Sequence, residues 1–242
     1  MSEEARNILW AVGVLLAALA FGLSSFIVPD FGGFDADQFP IPQEDPPVQP
    51  AGYAFAIWAV IYLWLVASAV YGVIVRANAP DWAEMRPYLA LSLIVGAGWL
   101  PVAKLSALAA AILIWVMLVP ALMALFRAPL LDRWWARAPI GLYAGWLSAA
   151  SFVAIGLCLA GWGLMGEIQA AILCLLMATG LAAYVQVAIE GVPEYGFAVV
   201  WALVAVAVNN LTGGAILVAI LAVAGASVVG LLAIRAMTIP RA

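Results

Sequence analysis

The sequence predicts an all-α integral membrane protein, a polytopic bundle of about eight transmembrane helices. Hydrophobic residues make up 68% of the 242 residues and charged residues only 9%, which is more apolar surface than a soluble domain of this size can bury. Eight apolar runs have lengths that suit a bilayer. The lysine and arginine residues between these runs also fall almost entirely on one side of the predicted membrane.

The first apolar span, residues 8–28, follows an acidic N-terminus that is unlike the basic start of a secretory signal, so we expect it to be a retained helix. A long loop separates it from the second span, and the later connections are shorter. The seventh span is short and could merge with the ends of its neighbours. The seven spans after the first are predicted at 53–75, 88–103, 105–126, 139–160, 168–189, 196–211 and 214–236.

The basic residues predict the orientation of the bundle. An even number of spans places both termini on one side, and Lys104 is the single basic residue that falls on the other side. Positive charge accumulates on the cytoplasmic side of membrane proteins, so we expect cytoplasmic N- and C-termini. The basic residues on the predicted cytoplasmic side are Arg6, Arg76, Arg86, Arg127, Arg133, Arg137, Arg235 and Arg241.

An acidic, proline-rich loop, residues 29–52, is predicted to be external. It holds six prolines and no apolar period. The formal charge of −4 mostly reflects this loop, so it does not indicate an acidic partner surface. The loop is either a spacer or a lid over the outer mouth of the bundle, and the sequence leaves both open. Its acidic residues are Asp30, Asp35, Asp37, Glu44 and Asp45.

The residue types needed for catalysis, metal binding and ion coupling are scarce. Histidine is absent, and Cys158 and Cys174 lie inside apolar runs, where we expect packing roles. No aspartate, glutamate or arginine falls at bilayer depth, which argues against an ion-coupled transporter. Gln186, Asn209 and Asn210 lie near span ends, where interfacial or interhelical hydrogen bonding is expected. We therefore predict no catalytic residue, no metal site and no nucleic-acid partner.

Aromatic residues in the second span indicate an inward face. At about 100° per residue, Phe55, Trp58 and Tyr62 share one side of a helix, and Tyr53 and Tyr71 lie nearly opposite, together with Trp64. The two tyrosines suit the two bilayer interfaces, whereas Trp58 lies too deep for that explanation. Two glycine pairs predict close helix packing in the third and fifth spans, namely Gly96/Gly98 and Gly141/Gly145.

Three segments together resemble the TspO/MBR family, the tryptophan-rich translocator-protein relatives. The second span carries Pro50, Tyr53, Phe55, Trp58 and Tyr62, similar to the family's loop-to-helix pattern. The third ends Gly98-Trp99-Leu-Pro101, and the fifth begins Pro139-Ile-Gly-Leu-Tyr143-Ala-Gly-Trp146. The sequence departs from the family at Gly96, where an asparagine is usual, and at Pro46-Pro47, which lack the preceding tryptophan.

The resemblance covers a five-helix region within residues 1–160, and three additional helices are expected in residues 161–242. It implies a membrane-embedded binding protein for a porphyrin, another tetrapyrrole or a sterol-like molecule, with a sensory or regulatory role and no enzymatic turnover. A bacterial inner (cytoplasmic) membrane location follows from the same resemblance. The ligand-binding residues that it implies are Phe55, Trp58, Tyr62, Trp99, Tyr143 and Trp146.

Two other classes of function remain open at this point. Eight spans also suit a transporter of small solutes or lipids, although no half of the chain convincingly repeats the other. A structural or assembly subunit would use its small-residue and tryptophan faces to bind other membrane proteins. The partners expected are the lipid bilayer and a hydrophobic small molecule, and a homodimer or a membrane-complex partner stays open.

Overall fold

The structure, a computed structural model, describes residues 2–28, 31–189 and 191–238, and the regular secondary structure in these ranges is entirely helical. Eight helices of the described residues are long and apolar enough to cross a membrane, which confirms the predicted bundle. A short helix, α3, joins the second and third of them. The helices are α1 (Glu3–Ile27), α2 (Ile57–Ile74), α3 (Pro80–Ala83), α4 (Arg86–Leu105), α5 (Ala107–Arg127), α6 (Arg137–Gly161), α7 (Glu167–Ala188), α8 (Pro193–Gly213) and α9 (Ile216–Thr238).

The prediction of a short seventh span is wrong, because α8 has 21 residues. Pro193 lies in its first turn, where a missing N–H costs nothing, and Gly214 ends it with a left-handed φ of 86°. The predicted seventh span began at Gly196, after the charged residue Glu194. In the structure Glu194 is buried in the first turn of α8, where Arg133 donates a hydrogen bond to its carboxylate.

The second span does not begin as an α-helix. Residues Gly52–Ala56 form a 3₁₀ helix, and α2 starts at Ile57. A 3₁₀ turn holds three residues rather than 3.6, so the angular positions of Tyr53 and Phe55 differ from those of a continuous helix. The start of this segment is held by the Ala51 N–H, which donates to the carbonyl oxygen of Ala205 at 3.1 Å.

The long helices form two groups that share α6. In the first group α2, α1, α4 and α5 follow one another around a ring, and α6 closes the ring by contacting both α5 and α2. In the second group α7 and α8 pack on the opposite side of α6, and α9 packs on α7 and α8. Most of the 25 residues of α6 are buried as a result.

Glycines allow the closest helix approaches in the bundle. An added Cβ at Gly141 or Gly145 would overlap α8 or the residue before it, and one at Gly96 would lie 2.8 Å from the Phe21 ring. The predicted packing role is confirmed at these three positions. It is wrong for Gly98, where an added Cβ meets no atom within 4 Å among the described residues.

A polar cluster lies at the end of the bundle that carries the N-terminus. The Asp132 carboxylate accepts hydrogen bonds from Arg76 (2.7 and 3.0 Å), from the Trp82 indole (2.9 Å) and from the Tyr71 hydroxyl (3.2 Å). The hydrogen bond from Arg76, followed by those from Trp82 and Tyr71, lowers the pKa of Asp132 although burial opposes it. Arg86 is buried nearby and donates to backbone carbonyls, among them that of Asn7 at 3.2 Å.

The basic side chains of the described residues separate between the two ends of the bundle. Lys104 lies at the end opposite the N-terminus, 3.5 Å from the Asp35 carboxylate. Arg241 lies outside the described residues, so its predicted side is untested. The cytoplasmic position of the N-terminal end stays a prediction from the positive-inside rule. The arginines at that end are Arg6, Arg76, Arg86, Arg127, Arg133, Arg137 and Arg235.

Candidate functional site

The proline-rich loop folds across the end of the bundle opposite the N-terminus. Its residues from Phe31 to Ala51 are described, and Pro29 and Asp30 lie outside the described residues. The Ile41 N–H donates to the carbonyl oxygen of Gly161 at 2.8 Å, which attaches the loop to the end of α6. Gln38 donates to the carbonyl oxygen of Ala103 in α4 at 2.9 Å. The loop therefore covers the mouth of the helix ring.

Two adjacent asparagines of α8 hold the second half of this loop. The Asn210 amide donates to the carbonyl oxygen of Pro47 at 2.8 Å, and the Asn209 amide donates to that of Gln49 at 3.1 Å. Interfacial or interhelical bonding was expected for these residues, and their partners are loop carbonyls at the end of the bundle. Gln186, the third polar residue of the spans, donates to the carbonyl oxygen of Val192 at 3.2 Å.

Aromatic rings from the loop and the helices meet around a small cavity of about 50 Å³ beneath the loop. Phe31 contacts Trp99 and Phe55 edge to face, with ring centroids 5.3 and 6.1 Å apart, and Phe34 lies 6.3 Å from Trp99. Phe55 contacts Trp146 at 6.0 Å. All five rings line the cavity, and small residues of α6 and α8 complete its wall.

A second layer of rings lies deeper in the helix ring, below the cavity. Trp58 stacks on Tyr62 at 5.3 Å and contacts Trp146 edge to face at 6.0 Å. Phe21 of α1 packs against Trp58, Tyr62 and Tyr143 at 5.7, 4.9 and 5.6 Å. Trp146 therefore joins the upper and lower rings into one aromatic network.

All six residues implied by the resemblance belong to this network, but only half of them reach the cavity. Phe55, Trp99 and Trp146 line it, whereas Trp58, Tyr62 and Tyr143 lie below. The Tyr143 hydroxyl bonds to Ser92 Oγ at 2.8 Å, and the Trp99 indole donates to the carbonyl oxygen of Ala110 at 2.9 Å. These two polar groups thus have protein partners, and ligand contact by any of the six stays a prediction.

Three members of the network were missed from the sequence. Phe21 lies within the long apolar run of the first span, where nothing distinguishes it from lipid-facing residues. Phe31 and Phe34 lie in the acidic loop, and aromatic residues in so polar a segment could have indicated a buried contact. The loop was considered only as a spacer or a lid, so its rings were not assigned to the site.

The aromatics on the other side of α2 lie outside the network. Tyr53 is exposed and contacts Trp201 at 5.5 Å. Trp64 stacks on Trp134 at 6.2 Å, and Tyr71 stacks on Trp135 at 4.8 Å.

The site is mostly apolar, with Gln49 in its lining, and it contains a buried hydrogen-bond donor without a partner among the described residues. Trp146 is 2% exposed, and its Nε1 has no hydrogen-bond partner among the described residues. No ionisable side chain of the described residues lines the cavity, and these residues hold no cluster of three metal-ligating side chains. Chemically, such a site can stack flat rings and can donate one hydrogen bond.

One family model matches the chain, and its description is "TSPO-like protein". The match covers residues 40–235, from the loop through α2 to the last turns of α9, and so includes the last three helices. No curated protein and no solved structure matches the chain significantly.

Proposed function

Because this chain belongs to the TSPO-like protein family, we propose that it binds a flat hydrophobic ligand within the membrane and has a sensory or regulatory role. The ligand class is a porphyrin or other tetrapyrrole, with a sterol-like molecule as the nearest alternative. The observation that carries the proposal is the continuous aromatic network that surrounds the cavity beneath the loop.

The size of the cavity means that the loop must move when such a ligand binds. A volume of about 50 Å³ holds one or two water molecules, whereas sites for ligands of this size measure roughly 300–1,000 Å³. Phe31 and Phe34 form part of the cavity wall on a loop that few hydrogen bonds attach. The ligand ring takes the place of these two side chains and stacks on Trp99 and Trp146.

The buried Trp146 indole supplies the polar contact of the proposed complex. A buried donor without an acceptor is unfavourable by about 1–3 kcal/mol, so a ligand oxygen or nitrogen that accepts this N–H removes an existing penalty. An entirely aliphatic ligand cannot do so. The site therefore favours ring systems that carry an acceptor.

The placement of charge favours a binding protein over an ion-coupled transporter. Arg86, Arg137 and Glu194 are buried, but each lies in the first turn of its helix at the N-terminal end of the bundle. Ion and proton carriers use ionisable groups deep in the membrane. We further propose a bacterial inner membrane location with cytoplasmic termini, because the arginines gather at that end.

The test is a titration of the protein in nanodiscs with protoporphyrin IX, followed by the absorbance of the porphyrin so that tryptophan variants can be compared. We expect saturable binding. Trp146→Phe should raise the Kd about two- to tenfold, which corresponds to the usual free energy of one aromatic contact. Trp58→Phe, which changes a ring below the cavity, should weaken it less.

Trp10→Phe is the matched control, because Trp10 is 39% exposed on α1 and contacts no ring of the network. Non-saturable binding would refute the proposal. An equal effect of Trp146→Phe and Trp10→Phe would also refute it, because the porphyrin would then be partitioning into the lipid.

A further inference from the structure

A second and much larger concave surface lies on the outside of the helix ring. A groove of about 980 Å³ runs along α5 between α4 and α6, and none of the six residues implied by the resemblance lines it. Along α5 it extends from Leu108 to Met123, which is roughly 22 Å at 1.5 Å per residue. The groove therefore spans most of the hydrocarbon thickness of a bilayer.

The lining of the groove is almost entirely apolar. The floor is formed by α5, including Ile112 and Val116, one wall by Leu91 of α4 and the other by Ile155 and Leu159 of α6. No charged side chain of the described residues lines it. A ligand of this groove therefore needs a long apolar part, and the buried Trp115 indole N–H, which has no hydrogen-bond partner among the described residues, is a polar group in the lining.

An arginine lies at the end of the groove nearest the N-terminal end of the bundle. The Arg127 guanidinium lies 4.5 Å from the centroid of the Tyr88 ring and donates to the carbonyl oxygen of Met123 at 3.1 Å. Tyr88 and Met123 both line the groove. Arg127 is exposed and makes no ion pair with any residue that the structure describes.

We propose that this groove binds one anionic phospholipid, with an acyl chain along α5 and the phosphate against Arg127. A guanidinium has five N–H donors. Because only one hydrogen bond, to Met123, is formed within the described residues, other N–H groups of Arg127 can donate hydrogen bonds to a phosphate. The apolar length and the terminal positive charge match the two parts of such a lipid. This site is independent of the porphyrin site, since the two share no lining residue.

The charge part of the proposal is tested by native mass spectrometry of the full chain with phosphatidylglycerol or phosphatidylcholine of identical acyl chains. One basic residue near the surface gives about a fivefold preference for anionic lipid, so we expect one phosphatidylglycerol to be retained about fivefold better. Arg127→Gln should remove this preference. Arg235→Gln is the matched control, because Arg235 is also exposed in the last turn of a helix at the same end of the bundle.

The groove itself is tested by filling it. Ile112→Trp places a large ring over the floor of the groove, whereas Ile220→Trp places the same ring on α9, and both isoleucines are 60% exposed. We expect Ile112→Trp to reduce retention of both lipids at least fivefold and Ile220→Trp to leave it unchanged. Thermal unfolding of each variant shows whether the bundle is intact.

Three results would overturn the proposal. Equal losses in Arg127→Gln and Arg235→Gln would mean that anionic lipid coats the whole end of the bundle without a specific site. Unchanged retention in Ile112→Trp would exclude the groove. A dimer that dissociates in Ile112→Trp would assign the groove to a second copy of the chain instead of a lipid.

Discussion

At Gly145 the backbone of α6 approaches α8 so closely that no side chain fits. An added Cβ would overlap the carbonyl oxygen of Tyr195 and would lie 3.0 Å from the Cβ of Ala198. Because backbone atoms cannot move aside as a flexible side chain can, we expect Gly145→Ala to destabilise the protein by about 1–3 kcal/mol. Thermal unfolding in detergent measures this change as a lower Tm.

Gly180→Ala in α7 is the matched control for this prediction, since an added Cβ there meets no atom within 4 Å among the described residues. Alanine in a helix is favoured over glycine by about 0.5–1 kcal/mol, so its Tm should stay equal or rise slightly. A similar fall of Tm in both variants would show that the α6–α8 contact is looser than described.

The Asp132 cluster is expected to make the folded protein less stable at acid pH. The hydrogen bond from Arg76 is the main cause of the lowered pKa of Asp132, with further bonds from Trp82 and Tyr71. A lowered pKa in the folded state stabilises the protein fully above the unfolded value of about 3.9, and this stabilisation is lost as the pH falls through the folded pKa. We therefore expect the Tm difference between wild type and Asp132→Asn to be largest near neutral pH and to shrink below about pH 4.

Asp37→Asn serves as the comparison, because Asp37 is an exposed carboxylate of the proline-rich loop. Its Tm should follow the wild-type value at every pH. A constant difference between wild type and Asp132→Asn down to pH 3 would contradict the proposed role of the ionised carboxylate.

Six rings of the aromatic network were named from the sequence and three were missed, and the hydrogen-bond partners of their polar atoms were not predictable. Trp99 and Tyr143 bond to Ala110 and Ser92, which lie on other helices, so their partners depend on how the helices align. A single sequence gives the face of one helix and does not give the axial register between two. Trp146, the ring without a partner for its N–H, could not be distinguished from the others for the same reason.

At the scale of elements, side chains of α8 hold the proline-rich loop in place across the end of the bundle. The Asn210 amide bonds to Pro47 and to Val206 within its own helix, both at 2.8 Å. Asn210→Leu removes the bond to the loop, so we expect faster hydrogen exchange at loop amides such as that of Gln49. Faster association of protoporphyrin IX should accompany it, because the loop must move before the ligand enters.

Thr212→Val is the control, since the Thr212 hydroxyl bonds only to carbonyls of α8 in the described structure. Loop exchange should be unchanged in this variant. If Asn210→Leu also leaves loop exchange unchanged, the loop is held by its aromatic rings and not by the asparagine.

The helices themselves were predictable because long apolar runs have a simple physical cause, the absence of water for the backbone in a membrane. The loop conformation was not predictable, because the loop groups that bond to Asn209 and Asn210 are backbone carbonyls, which every residue possesses. The start of α8 was missed for a different reason. The charge of Glu194 excluded it from an apolar span, although its partner Arg133 neutralises it at the helix end.

At the scale of the molecule, α6 is the structural centre of the bundle. The helix ring packs on one of its sides, and α7 and α8 pack on the other. A chain that ends at residue 165 exposes the Gly141/Gly145 face of α6 to lipid. We expect it to aggregate, and size-exclusion chromatography of a fluorescent fusion measures this directly.

Co-expression of residues 166–242 is the complementary experiment, because α7, α8 and α9 then supply the missing surface in trans. Recovery of a single sharp peak would support α6 as a shared core helix. A chain of residues 1–165 that is monodisperse by itself would show that the helix ring is stable alone.

The sequence predicted a five-helix region followed by three further helices, and this division stays a prediction, but the place of the last three helices in the bundle was not predictable. The segment that becomes α6 is rich in glycine, alanine and serine on every face, so periodicity assigns it no preferred side. Burial on all sides is the structural reason, and it becomes apparent only when the partners of α6 are known.

The rings that fill the cavity have a thermodynamic consequence for binding. Phe31 and Phe34 already cover Trp99, so in the proposed binding mode their displacement exposes apolar surface that offsets part of what the ligand buries. The heat capacity change of binding, which follows the net apolar area removed from water, should therefore be smaller in magnitude than for the same ligand in an open pocket. In the proposed binding mode one aromatic contact replaces another, so we expect selectivity to rest on ring shape and on a hydrogen bond from the Trp146 indole more than on hydrophobicity alone.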